Sequence, residues 1–285
     1  MSVRLAGFGF SLVAFVLVAF VLSGCSTGFV LPTNIDTPRT LDHSTFTHVL
    51  QTYVDDDGLV DYAGLQADRD SLDAYLDYLA RTDPSFASRD EQLAYWINVY
   101  NAYTLELIID HYPAESIFDA GFSIPIFYTP WKRKVAAAAG GVFTLDEVEH
   151  EIIRPRYDEP RIHYAVVCAA MSCPYLRQEA YEAEQLDAQL DDQARQFLFE
   201  TGLNELSADA DEIRISPIMS WFRGDFTGSG RSLQQYLARF ADGRLAARLS
   251  SNDFDVKFTG YDWTLNDQAI GREGVEESSG GRVDG

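Results

Sequence analysis

The densest group of reactive side chains lies in residues 161–174, which read RIHYAVVCAAMSCP. This segment holds His163, Cys168 and Cys173 within eleven positions. A thiolate is a strong nucleophile, and a neutral imidazole can accept the proton of a thiol. The segment therefore predicts thiol-dependent chemistry, with Cys173 or Cys168 as the nucleophile.

The local geometry of this segment leaves two interpretations open. Residues 162–167 are apolar and β-branched, which predicts a buried strand. Strand side chains alternate between faces, so His163 and Cys168 would point in opposite directions. Cys173 follows in a Ser-Cys-Pro turn, a more exposed and more reactive position. The alternative is a disulfide between Cys168 and Cys173 that pins this turn, as expected in an oxidising compartment.

A second candidate site lies on a helix that begins at Thr144. Thr144 and Glu147 have the spacing of a capping box, and this pattern predicts a helix to about residue 153. Glu149 and His150 lie on it, and Asp146 and Glu147 are four and three residues before His150. A carboxylate beside His150 would raise its pKa and hold its tautomer, as a general base requires. The same pair can also be a structural hydrogen bond.

Two asparagines mark a third candidate segment, residues 95–102. Asn is a poor residue for the interior of an apolar helix, and Asn98 and Asn101 share one face. Their amides need partners because a buried unpaired polar group costs about 1–3 kcal/mol. We expect them either to pin the backbone of a neighbouring loop or to orient a catalytic histidine.

Helices that position these groups dominate the first half of the chain, and strands gather later. Amphipathic or capped patterns predict helices over residues 43–53, 71–81, 89–111, 144–153 and 186–199. Short strands are expected at residues 59–62, 162–167, 213–216, 256–258 and 261–263. This order favours an α+β fold, with a helical N-terminal half packed on a small, mainly antiparallel sheet.

The first 25 residues resemble the export signal of bacterial lipoproteins. Arg4 precedes an uncharged run from Leu5 to Leu22, and Leu-Ser-Gly-Cys follows, as in a lipobox. Cys25 is then the lipid acceptor, and acyl chains would hold the mature protein on the membrane. The alternative, an uncleaved transmembrane anchor, would also place the remainder outside the cytoplasm. Both interpretations predict a location in the cell envelope, on the periplasmic side or at the outer membrane.

The charge composition of the chain limits the classes of partner that it is expected to bind. The chain has 44 acidic and 22 basic residues, a net charge of −22. Nucleic-acid binding needs a basic surface, so nucleic acid is not an expected partner. The expected partners are the membrane, through the lipid, and an unknown envelope ligand or protein.

Domain boundaries follow from these patterns. We predict a signal peptide over residues 1–24, a lipidated cysteine and tether over 25–40, one domain over 41–267 and a disordered tail over 268–285.

Six ordered motifs resemble those of the domain-of-unknown-function family DUF547. They span most of residues 41–267 and are 96–102 (WINVYNA), 111–113 (HYP), 145–150 (LDEVEH), 158–163 (DEPRIH), 168–174 (CAAMSCP) and 261–266 (YDWTLN). The resemblance implies a single domain, often found on exported bacterial proteins. It also implies that Glu149, His150, His163, Cys168 and Cys173 belong to one region, without naming a reaction.

Three hypotheses follow for the function. The first is a cysteine-dependent hydrolase or acyl-transferase-like enzyme, with His150 or His163 as the base and Glu149 or Asn98 as the orienting group. The second is a non-catalytic binding or scaffold protein in which Cys168 and Cys173 form a disulfide. The third is a metal site drawing on both histidines, Glu149 and a cysteine. The first two need no cofactor.

Overall fold

The longest helix, Arg89–Ile109, organises the core of the protein in a computed structural model that describes residues 32–120, 129–228 and 230–271. The Ser88 hydroxyl caps this helix by accepting a hydrogen bond from the Glu91 N–H at 3.2 Å. The acidic side chains of Asp90 and Glu91, in the first turn, interact favourably with the partial positive charge at the helix N-terminus. Nearly all its later side chains are buried, so neighbouring elements pack around every side of it.

The remaining elements are mostly short. The described residues contain eleven α-helical segments: α1 Ser44–Tyr53, α2 Tyr62–Ala67, α3 Asp70–Arg81, α4 Arg89–Ile109, α5 Leu145–Glu147, α6 Arg154–Arg156, α7 Leu186–Phe199, α8 Ile218–Trp221, α9 Arg223–Thr227, α10 Leu233–Leu237 and α11 Gly243–Ser250. A π-helix, Val148–Ile153, joins α5 to α6. Single 3-10 turns occur at Pro84–Phe86, Ile117–Ala120, Pro130–Lys132 and Pro160–Tyr164.

The strands form two separate two-stranded sheets. Strands β1 (Lys134–Ala138) and β2 (Gly141–Thr144) make an antiparallel hairpin. Strands β3 (Glu212–Ile215) and β4 (Asp255–Phe258) pair in parallel, with Ile213 opposite Val256. The α+β class predicted from the sequence is confirmed, although the strands are divided between two sheets and one of these is parallel.

Two hydrophobic clusters fill the interior. The larger surrounds α4 and takes in α1, α3 and the hairpin. The smaller gathers α7, β3 and α8 to α11 around Phe226 and Tyr236. Tyr261 packs against both clusters, so the segment that carries it lies where they meet.

Three predicted strands are wrong. Residues 162–167 are not a strand, because Pro160–Tyr164 forms a 3-10 helix in which the Glu159 side chain caps the Arg161 N–H. A short apolar run fits either a buried strand or a buried helical turn, and periodicity does not separate them. Residues 59–62 contribute only isolated bridges at Val60, and residues 261–263 have no regular secondary structure.

Contacts of the domain reach past both of its predicted boundaries, residues 41 and 267. Asp36 pairs with Thr82 in a parallel bridge, so the predicted tether is in contact with the domain there. Gln268 donates to the Val60 carbonyl at 3.1 Å and Gly271 to that of Asp267 at 3.0 Å, so these two residues are also hydrogen-bonded to the domain. The apolar run before Cys25, Cys25 itself and residues 272–285 lie outside the described ranges. Among the described helices, none combines the length and apolarity that crossing a bilayer requires.

Candidate functional site

A pocket of about 230 Å³ lies where the two hydrophobic clusters meet. Polar groups in its lining include Asp146, Glu149, His150 and His163, together with both sulfur-bearing residues of the 168–173 loop. Its aromatic lining consists of Tyr100, Trp131, Trp221, Phe222, Tyr261 and Trp263. An apolar pocket with a few convergent polar groups is the usual form of a small-molecule site.

The helical segment that follows Thr144 brings Glu149 and His150 to this pocket. The predicted capping box is present: Thr144 Oγ1 accepts from the Glu147 N–H at 3.0 Å, and Glu147 accepts from the Thr144 N–H at 2.7 Å. The helix then widens into the π-helix Val148–Ile153, which contains both site residues. Such π-turns are frequent at functional sites, because the extra residue in the turn changes which way side chains face.

His150 has different neighbours from those predicted. Its Nδ1 accepts a hydrogen bond from Arg154 Nη1 at 2.8 Å, and its Nε2 lies 3.9 Å from Asp146 Oδ1. Glu147 is instead paired with Lys134. Burial and the Arg154 charge lower the pKa of His150, so the expected rise from a neighbouring carboxylate is wrong. His150 is a neutral imidazole with its proton on Nε2.

His163 is buried beneath the pocket with its Nε2 2.8 Å from Asp225 Oδ2. An ionised carboxylate only accepts hydrogen bonds, so the Nε2 atom carries the proton and Nδ1 keeps its lone pair. The ring of Phe222 stacks on the imidazole, with 3.9 Å between ring centroids, and limits its rotation. His163 therefore presents one fixed tautomer.

Asp225, on α9, is held as an anion by two partners. Arg154 donates to both carboxylate oxygens, from Nε at 2.6 Å and from Nη2 at 3.0 Å. Hydrogen bonds from His163 and then Arg154 lower the pKa of Asp225 well below its usual value. Asp225 was not among the site residues predicted from the sequence, since one Asp among 44 acidic residues carries no local signal.

Glu149, His163 and Asp225 form a row of three groups, with His163 in the middle. Glu149 Oε1 lies 3.8 Å from His163 Nδ1, and within the described residues neither atom has a hydrogen-bond partner. Burial raises the pKa of Glu149 to about 7, although Arg154 opposes the rise. Burial lowers the pKa of His163, although Asp225 acts in the opposite direction. Near neutral pH the row therefore contains a carboxyl that can gain or lose a proton, beside a neutral imidazole with a free lone pair.

The two cysteines are bonded to each other, with 2.07 Å between their sulfurs. The Tyr261 hydroxyl lies 3.1 Å from Cys168 Sγ and 3.2 Å from Cys173 Sγ. Cys168 is partly exposed and Cys173 is buried. Of the two alternatives left open by the sequence, the structure contains the disulfide. Among the described residues, neither sulfur has a histidine as its hydrogen-bond partner.

Residues 84–198 match the family model described as "Protein of unknown function, DUF547". The chain contains a DUF547 domain. Comparison with curated proteins and with solved structures finds no match. The DUF547 match contains every catalytic candidate predicted from the sequence, whereas Asp225, Tyr261 and Trp263 lie beyond it.

The asparagines of the DUF547 domain hold loops in place. Asn98 donates to the Tyr181 carbonyl at 2.8 Å and accepts from the Tyr181 N–H at 2.9 Å. Asn101 does the same for the 165–167 backbone, through bonds of 2.9 and 3.0 Å. The hydrogen-bond partner of Asn98 is Tyr181 and not a histidine, so its predicted role as the orienting group passes to Asp225. Asn101 fixes the chain between His163 and Cys168.

The third hypothesis from the sequence, a metal site at the two histidines, Glu149 and a cysteine, needs at least three ligands that converge on one point. Within the described part of the chain, no group of three or more His, Cys, Asp or Glu side chains is arranged to hold a metal ion.

Proposed function

We propose that the protein is an exported hydrolase of the cell envelope in which Glu149 and His163 transfer protons inside the aromatic pocket. The observation that carries this proposal is the pair of unpartnered, buried atoms, Glu149 Oε1 and His163 Nδ1, which face each other across 3.8 Å. Leaving two buried polar atoms unpaired destabilises the fold by about 1–3 kcal/mol each, and such defects call for an explanation. A site that must exchange a proton with a ligand provides one.

The proposed chemistry follows from the protonation states. With its pKa near 7, Glu149 can remove a proton from a pocket water as that water attacks an acyl carbon, and can then return the proton to the leaving group. His163 stabilises the protonated carboxyl because its Nδ1 lone pair faces Glu149. Asp225 holds the tautomer that makes this possible. The 3.8 Å separation exceeds a hydrogen bond and would shorten when a ligand closes the pocket.

This proposal changes the nucleophile expected from the sequence. A cysteine-dependent hydrolase needs a free thiolate, whereas the described structure pairs the thiols in a disulfide. Water activated by Glu149 needs no change in the redox state of Cys168 and Cys173. His150, fixed by Arg154, offers its Nε2–H to a ligand as a hydrogen-bond donor.

A binding or scaffold role in the envelope is the second candidate, and the aromatic lining supports it. Trp221 stacks against Trp263 at 5.9 Å, and Tyr261 contacts both rings. About half of the Trp221 surface is exposed (51%), which leaves a face for a partner or ligand. In this role Glu149 would bind a proton without passing it on.

The decisive comparison is between Glu149→Gln and Glu147→Gln. Both replace a glutamate on the same helical segment, but Gln at position 147 still completes the capping box. With p-nitrophenyl acetate as the probe, we expect Glu149→Gln to lower turnover by about 10²- to 10⁴-fold and Glu147→Gln to leave it within a factor of two. Turnover of the unmodified protein should rise with pH around a midpoint near 7.

Spectroscopic titration of Glu149 separates the two candidates without a substrate. If Glu149 titrates near pH 7 but the protein does not turn over p-nitrophenyl acetate, the result supports the binding role. A carboxyl that titrates at its usual value near 4.5 contradicts the proton-transfer proposal.

We also propose that Cys25 anchors the protein to a membrane through lipid. Support comes from the uncharged run and the Leu-Ser-Gly-Cys sequence that follows it. Bacteria grown with an alkyne fatty acid should label the unmodified chain, whereas Cys25→Ser should abolish the label. Label that persists on Cys25→Ser would contradict the proposal.

A further inference from the structure

The Cys168–Cys173 disulfide forms part of the pocket wall, so a molecule that enters the pocket meets it. The two cysteines are not equally exposed. Cys168 is partly exposed, whereas Cys173 is only 3% exposed. An attacking thiolate must approach a sulfur in line with the bond that breaks, and the greater exposure of Cys168 favours attack on that residue.

Among the described residues, Cys173 Sγ has one hydrogen-bond donor more than Cys168 Sγ. It accepts from the Cys168 backbone N–H at 3.1 Å, whereas the Tyr261 hydroxyl is shared, at 3.2 Å from Cys173 Sγ and 3.1 Å from Cys168 Sγ. Burial raises the pKa of Tyr261, which keeps its hydroxyl protonated and able to donate. Donors stabilise a thiolate more than a neutral sulfur, so Cys173 is the better leaving group of the pair.

The loop between the cysteines is held by contacts other than the disulfide. Met171 N–H donates to the Thr264 carbonyl at 2.8 Å, and Asp262 N–H donates to Ser172 Oγ at 2.8 Å. Ala169 has a φ of 58°, a left-handed conformation that these contacts must maintain. The disulfide can therefore open without releasing the loop.

We propose that Cys168–Cys173 is a redox-active disulfide that exchanges with an external dithiol in the pocket. One thiolate of the dithiol attacks Cys168 Sγ, the S–S bond breaks, and its electron pair remains on Cys173 as a thiolate. The second thiol of the dithiol loses its proton and attacks the mixed disulfide, which releases Cys168. The dithiol is oxidised by two electrons, the cysteines are reduced by two, and its two protons pass to the cysteines or to solvent.

This activity does not rest on proton transfer by Glu149, since exchange needs only access to the pocket and the donors on Cys173. The reduced state would also supply the free thiols that the sequence led us to expect at this site. Ester turnover and disulfide exchange are therefore two separate properties of one pocket.

The test is reduction of the folded, full-length protein by dithiothreitol in the absence of denaturant. After acid quenching, alkylation with N-ethylmaleimide should add two more groups by intact mass than it adds to the unreduced protein, while circular dichroism stays unchanged. Reduction that occurs only at denaturant concentrations that unfold the protein would overturn the proposal.

The position of attack has its own test. Brief treatment with glutathione, followed by trapping with N-ethylmaleimide, should leave the mixed disulfide on Cys168. Chemical cleavage at Met171 separates the two cysteines for mass analysis. Glutathione found on Cys173 would overturn the assigned direction.

Tyr261→Phe removes the donor and keeps the ring. We expect it to slow reduction by about ten- to a hundredfold, since a hydrogen bond to a developing charge is lost. Tyr175→Phe is the matched control, because this tyrosine lies two residues after Cys173 and, among the described residues, the tyrosine hydroxyl hydrogen-bonded to the sulfurs is that of Tyr261. Equal rates in both variants would show that Tyr261 has no part in exchange.

Discussion

Asp225→Asn is the substitution that most directly tests the proposed proton path. It keeps the shape of the side chain and removes its charge. Asp225 accepts two hydrogen bonds from Arg154 and one from His163. The guanidinium requires an acceptor, so the amide oxygen of Asn turns toward Arg154 and its NH₂ group faces His163. His163 Nε2 must then accept a hydrogen bond, so the ring proton moves to Nδ1. Protonated Nδ1 can no longer accept a hydrogen bond from Glu149.

The expected magnitudes follow from this geometry. Asp225 is partly exposed, so we discount the lost ion pair and expect a loss of about 1–3 kcal/mol in the free energy of unfolding. Asp192→Asn, which removes one of the two exposed acidic partners of Arg177, should cost less than about 1 kcal/mol. Because the folded-state pKa of Asp225 is lowered, its contribution is present above its usual pKa and is lost as pH falls below about 4. The variant should lack this part of the acid sensitivity.

Three measurements check the reasoning. Nitrogen NMR of the His163 ring should show the proton on Nε2 in the unmodified protein and on Nδ1 in Asp225→Asn. The pKa of Glu149 should fall, since Asp225 raises it. Turnover of p-nitrophenyl acetate should fall by about 10²- to 10⁴-fold with little change in KM. A variant that keeps the Nε2 tautomer and full turnover would refute the assigned role of Asp225.

Three further outcomes are expected from urea unfolding. Burial lowers the pKa of His43 from 6.5 to about 4, so its contribution to stability is complete above pH 6.5 and is lost as the pH falls from there. At about pH 5, His43→Gln should therefore remove roughly 2 kcal/mol of the pH-dependent loss in the free energy of unfolding. An unchanged pH dependence would contradict this. Gly58→Ala should destabilise by more than about 2 kcal/mol, because a Cβ there would lie 2.6 Å from Tyr175 Cβ at a φ of 71°, whereas Gly202→Ala, at a φ of 72° in open space, should cost only about 1 kcal/mol. Asn98→Ala should cost about 2–4 kcal/mol by leaving two buried backbone groups unpaired, and a loss below 1 kcal/mol would show that water replaces the amide.

Local sequence determined the helices with clear periodicity or caps. The helix predicted over residues 186–199 is α7, and that predicted over 71–81 is α3 with one more residue. The Thr144 capping box forms as expected because both of its hydrogen bonds join residues three apart. The sequence also limited the disulfide question to one pair, since Cys168 and Cys173 were the two cysteines left after Cys25.

Tertiary structure decided the remainder, because the deciding contacts join residues far apart in the chain. Residues 162–167 read equally well as a buried strand or a buried helical turn, and the packing around Pro160–Tyr164 selected the turn. Asp225 lies 62 residues after His163, and Tyr261 lies 88 after Cys173, so no local pattern could pair them. The sequence placed a thiol, an imidazole and a carboxyl in one region. Only the fold bonded the thiols to each other and left the imidazole facing Glu149, because burial and long-range hydrogen bonds set both arrangements.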